Sequence, residues 1–82
     1  MSAIVRATPV SVAPMAYDAL ELEIIDQEQR EYIRVNDGDS VQDELVHFLK
    51  RTHDYQLAWV KVEGDKYVRY DRIASVAIKR GM

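Results

Sequence analysis

The chain reads as an α+β protein: a small bent antiparallel sheet, or a partly open barrel, carrying one helix, in the order arm-β-β-α-β-β(-β). Three observations predict this. Two runs rich in β-branched and aromatic residues flank Gly64-Asp65, the pattern of a hairpin. Val41, Leu45, Phe48, Leu49 and Thr52 recur at the spacing of one helical face. Leu20, Leu22 and Ile24 alternate with Glu21 and Glu23, the period of a half-buried strand.

Residues 1–16 carry Pro9 and Pro14, small residues and no acid. Proline removes backbone donors and favours extended geometry, so an extended N-terminal arm is expected, able to reach a neighbouring subunit. Its apolar pieces are too short for a signal-peptide core. The folded domain is expected over residues 17–80.

Within Tyr17–Val35 the alternation predicts a strand with an acidic outer face, a polar gap at Asp26–Gln29, and a second strand through Tyr32, Ile33 and Val35. A helix over residues 18–30 is the rival, since Leu and Glu are good helix formers. Asn36-Asp37-Gly38 breaks the pattern, and Asp39-Ser40 offers an N-cap. The helix that follows has Asp43 and Glu44 in its first turn and Lys50, Arg51 and His53 near its end, matching the macrodipole at both termini. Phe48, Leu49 and Leu45 are its expected buried residues, at about 1.5–3 kcal/mol each.

A two-residue loop at Gly64-Asp65 pairs Glu63 with Lys66, Val62 with Tyr67, Lys61 with Val68, Val60 with Arg69 and Trp59 with Tyr70. This register predicts a Glu63–Lys66 ion pair and a Trp59–Tyr70 aromatic pair. After Asp71-Arg72, residues Ile73–Ile78 return as a last strand with Ala74, Val76 and Ile78 on one face.

Composition limits the function classes. Of the 82 residues 48% are apolar and 30% charged, which marks a globular rather than a disordered chain. With no cysteine, disulfides, thiolate zinc sites and thiol nucleophiles are excluded. No apolar run reaches the ~18 residues of a membrane span, and a cytoplasmic location is expected. A small core without a staple makes a homodimer a natural source of extra burial. The net charge of −3 divides unevenly, with −7 over residues 1–49 and +4 over residues 50–82. Such asymmetry either balances within the fold or presents an acidic surface to a basic partner.

No catalytic set emerges, and neither an enzyme nor a cofactor is expected. Glu44, His47, His53 and Asp54 lie close in sequence, but they match no metal-ligand spacing. Glu21 and Glu23 share a solvent-facing strand side, where both stay ionised. There is neither a nucleophile elbow nor a glycine-rich phosphate loop. Lys61, Tyr67, Arg69, Tyr70 and Arg72, with Lys66 and Trp59, do interleave cations and aromatics on a sheet, as single-stranded RNA or DNA binders do.

The stretch VEGDKYVRYDRIASV resembles the last two strands of small Sm-like or SH3-like barrels. Within that group it is similar to the Rof family, small proteins that bind the transcription terminator Rho and inhibit it. YDALE at 17–21 is similar to that family's YDxLE segment, and YDRIASV at 70–76 to its LDRIxSV ending. The likeness is confined mostly to these two pieces. The family continues YDxLE as a helix, and it has a strand–turn–strand with a central glycine where this chain has the Ser40–Thr52 helix. The resemblance implies a regulatory protein partner with a basic surface, Rho among the candidates, met by Asp18, Glu21 and Glu23. Three expectations follow: an interaction module binding through that acidic β face, a nucleic-acid binder using the hairpin, or an assembly subunit with a pairing arm.

Overall fold

In the computed structural model, which describes residues 16–82, strand β1 (Ala19–Ile24) is the spine of the fold. Its inward side chains Leu20 and Leu22 are fully buried, and Ile24 nearly so. β1 pairs antiparallel with β2 (Glu31–Arg34) on one side and β5 (Ile73–Lys79) on the other, giving the order β2-β1-β5. The strand reading of this segment therefore holds and its helical rival falls, because alternating Leu and Glu bury one face of a sheet. The expected N-terminal arm lies almost wholly outside the described residues.

β3 (Trp59–Val62) and β4 (Lys66–Arg69) form a separate hairpin. The backbone N–H of Glu63 donates to Tyr32 O at 2.8 Å, joining the end of β3 to β2. The sheet stays open rather than closing into a barrel. Helix α1 (Val41–Lys50) packs against β1 and β5 and contributes Val41 and Phe48 to a core shared with Ile33, Val35, Tyr55, Val60 and Val62.

The helix starts where its cap is written. Ser40 is extended (φ −89°, ψ 126°) and its Oγ accepts from the Asp43 N–H at 3.3 Å. It ends at Arg51, which takes a left-handed conformation (φ +59°) without being glycine. Arg51 then holds the following loop, with Nε donating to Tyr55 O at 2.6 Å and Nη2 to Leu57 O at 3.0 Å.

The structure corrects four details. The hairpin loop is Glu63-Gly64-Asp65, with Gly64 at φ +94° and Asp65 at φ +57°, so β3 and β4 pair as Trp59–Arg69, Val60–Val68, Lys61–Tyr67 and Val62–Lys66. This register wins because it sends Val60, Val62, Val68 and Tyr70 together towards the core. Lys66 accordingly pairs with Glu31 at 2.8 Å rather than with Glu63. A register shift between β1 and β5 at Glu23/Ile24 changes the phase of β5, so Ile73 rather than Ala74 joins Val76 and Ile78 against the core. Leu49, expected inside, is 60% exposed on the flank of α1.

Candidate functional site

The exposed face of the β3–β4 hairpin carries Trp59, Lys61, Tyr67 and Arg69. Strand alternation puts them there once the three-residue loop sets Trp59 opposite Arg69 and Lys61 opposite Tyr67. Trp59 is 52% exposed and Tyr67 58%, and Leu57, just before β3, is 70% exposed. The Arg69 guanidinium lies 5.5 Å from the Trp59 ring centroid and 3.2 Å from Asp71.

Two residues expected on that face lie elsewhere. Tyr70 turns inward: its hydroxyl donates to Phe48 O at 2.6 Å, and the Arg51 guanidinium stacks 3.8 Å from its ring centroid. The Tyr70-Asp71-Arg72 turn leaves Arg72 at the start of β5, where it pairs with Asp26 at 3.5 Å.

Glu21 and Glu23 lie on the outer side of the three-stranded sheet and Asp18 stands just before β1, and each has partners within the chain. Glu21 accepts from the Tyr32 hydroxyl at 2.9 Å, a bond that with burial holds that phenol above its usual pKa. Glu23 accepts from Ser75 Oγ at 3.0 Å and lies 3.7 Å from Arg30. Asp18 accepts from the Gly81 N–H at 3.1 Å and lies 3.9 Å from Arg80.

Beyond the Tyr32–Glu63 bond, β2 and β3 diverge over a groove of about 930 Å³. Ile33, Val35, Val62 and Tyr55 supply its apolar lining, while Leu57, Trp59 and Tyr67 form one lip. Asp39, Asp43, Glu44 and Asp54 come to it from the start of α1 and the loop after it. With Glu63, five carboxylates line the groove against two permanent cations, Arg34 and Lys61. Among the described residues Asp39, Asp43 and Asp54 have no salt bridge or side-chain hydrogen-bond partner.

The back of the groove is held by hydrogen bonds and a ring contact. Tyr55, buried, donates its hydroxyl to Glu44, and burial together with that carboxylate raises its pKa far above the ordinary tyrosine value. His47 Nδ1 lies 2.9 Å from Thr52 Oγ1, and the His47 and His53 rings meet at a centroid distance of 3.8 Å. Glu44, His47, His53 and Asp54 line this wall of the groove, and among the described residues no group of three or more His, Asp or Glu side chains is placed to hold a metal ion. Sequence alone does not show the groove, because Asp39, Asp43 and Glu44 read as helix-capping and macrodipole residues and Glu63 as a partner of Lys66. The exposed Leu57 before an aromatic strand was the one local sign of a lip.

No protein-family model, curated protein or solved structure matches the chain. Among the described residues no helix is long and apolar enough to cross a membrane.

Proposed function

We propose that the chain is a regulatory interaction module of the cytoplasm that takes a segment of a partner protein into the groove between β2 and β3. The partner segment presents an apolar side chain to Leu57, Trp59 and Tyr67 and a basic one to Asp39, Asp43 and Asp54. One observation carries this reading: three large exposed apolar side chains stand beside carboxylates that have no partner among the described residues. Exposed apolar surface rimmed by charge is the usual composition of a recognition site. Binding there desolvates the aromatics and satisfies the acids together. Asp18, Glu21 and Glu23 are less available, since each already holds an internal partner. The resemblance of YDALE and YDRIASV to the Rof family makes Rho the first partner to offer.

A second reading rests on its own observation, that Trp59, Lys61, Tyr67 and Arg69 share one exposed face. Stacking rings flanked by cations would take single-stranded nucleic acid. The acidic wall opposite disfavours phosphate, so this reading stands second.

Trp59 is the only tryptophan, so its emission reports occupancy. Titration with Rho, with a peptide of alternating Lys and Leu, with its Glu counterpart, and with oligo-dT separates the readings. A blue shift with Rho or the Lys–Leu peptide, weakened at least tenfold by Asp39→Lys with Asp43→Lys, supports the groove. Weakening by Glu21→Lys with Glu23→Lys instead moves the site to the β1 face. A shift only with oligo-dT, falling steeply with salt, supports nucleic acid.

A further inference from the structure

β5 lies at the outer edge of the three-stranded sheet, paired on one side only. Its direction of hydrogen bonding follows from the register. The Val35 N–H donates to Asp18 O at 2.9 Å, which fixes Leu20 and Leu22 as the β1 residues bonded to β2. Glu21 and Glu23 therefore bond to Ala77 and Ser75, and the N–H and C=O groups of Val76 and Ile78 point away from the sheet. Among the described residues nothing covers that edge. From Ile73 to Ile78 it carries no charge and no proline, so it lacks two usual guards against pairing.

We propose that this edge pairs antiparallel with the β5 of a second copy, about a two-fold axis at Ala77. Three features select the second copy and this register. Val76 pairs with the copy's Ile78 and the reverse, forming about four backbone hydrogen bonds from groups otherwise unpaired. Ala77 meets its own image at a non-hydrogen-bonded position, where backbones approach closest and a small exposed side chain fits. Lys79 comes opposite the copy's Ser75, whose hydroxyl donates to Glu23, so a cation of each copy meets a carboxylate of the other. A register centred one residue earlier sets Arg80 opposite Arg72 instead.

The helix adds apolar area to the same interface. Asp43, Glu44 and His47 turn one flank of α1 to the groove, and Val46 and Leu49, away from that flank, are exposed. In a six-stranded sheet running through two copies, both helices cover the same face, where exposed Val46 and Leu49 are apolar area available to the interface. Each groove stays open at the outer ends, so the pairing is independent of what the groove binds.

Sedimentation equilibrium of the full chain, from micromolar to millimolar, tests the proposal. The mass is expected to rise to twice that of the chain. Ala77→Lys, which sets two cations against each other at an exposed position, is expected to weaken association at least tenfold with an unchanged circular dichroism spectrum. Lys79→Glu is expected to weaken it as well, and Glu23→Lys in the same chain to restore it. A mass that stays at one chain throughout overturns the proposal, and so does a dimer indifferent to Ala77→Lys. Removal of residues 2–15 is expected to leave the dimer intact. A dimer that appears only on that removal, or is lost by it, assigns the edge to that segment and overturns the proposal.

Discussion

Lys66 Nζ lies 2.8 Å from Oε2 of Glu31, the one charged side chain buried among the described residues, at 7% exposure. The same oxygen accepts from Gln27 Nε2 at 2.7 Å. The contact ties the start of β4 to the start of β2, and so anchors the closed end of the groove. Lys66→Met leaves a buried carboxylate with one donor, and because Lys66 itself is half exposed the cost is expected at about 1–2 kcal/mol. Adding Glu31→Gln removes the stranded charge and is expected to recover part of that loss. Urea unfolding of the two single variants and the double measures both terms; a double variant less stable than Lys66→Met contradicts the account.

What the sequence showed of this fold was what local chemistry decides. The Ser40 cap, the Val41–Phe48 face and the Leu20–Leu22–Ile24 alternation depend on neighbours within a few residues, and all three stand in the structure. The hairpin register was not local. Gly64-Asp65 supports a two-residue loop as well as a three-residue one, and the choice rests on which β4 residues meet the core and on Glu31 across the fold. Tyr70 read as a surface aromatic because nothing in sequence shows that it would find Phe48 O and Arg51. The groove depends on where β2 and β3 part, which no periodicity records. Its acids were visible, but chiefly as helix chemistry.

The Tyr55 hydroxyl makes stability fall at alkaline pH. Burial and the Glu44 carboxylate raise its pKa in the folded chain, whereas in the unfolded chain a tyrosine ionises near ~10. A raised pKa gives stabilisation that is complete below the unfolded value and is lost as pH rises above it, since only the unfolded state then releases the proton. Unfolding free energy is therefore expected to decline from about pH 10 upward. Tyr55→Phe is expected to flatten that decline, measured by urea unfolding at a series of alkaline pH values. In spectrophotometric titration of the folded protein, Tyr55 is expected to ionise well above the ordinary tyrosine value.

Arg51 combines a left-handed backbone with two side-chain bonds that hold the lip-bearing loop to the end of α1. Arg51→Ala keeps the unfavourable backbone and removes the bonds and the stacking on Tyr70, so a loss of about 1–3 kcal/mol is expected. Arg51→Gly relieves the backbone and is expected to be the more stable of the two by about 1 kcal/mol. Hydrogen exchange separates the effects. Both variants are expected to expose the amides of residues 52–58, and unchanged protection there would mean the loop is held by Tyr55 burial alone.

Gly64 tests the three-residue loop directly. Its φ of +94° is one that a side chain rarely adopts, and a Cβ added there meets nothing within 4 Å. Gly64→Ala therefore costs conformational energy without a clash, and a loss of about 1 kcal/mol is expected with the β3–β4 register retained. Asp65, also left-handed at φ +57°, should behave oppositely: Asp65→Gly relieves backbone strain and is expected to be neutral or slightly stabilising, although it frees the unfolded chain. In a two-residue loop Glu63 would face Lys66, and Glu63→Ala would remove their ion pair. Here Lys66 belongs to Glu31, so Glu63→Ala is expected to leave the Lys66 side-chain resonances in place while Glu31→Gln moves them. Nuclear magnetic resonance of the two variants decides which loop the hairpin uses, and with it whether Trp59, Lys61, Tyr67 and Arg69 share a face.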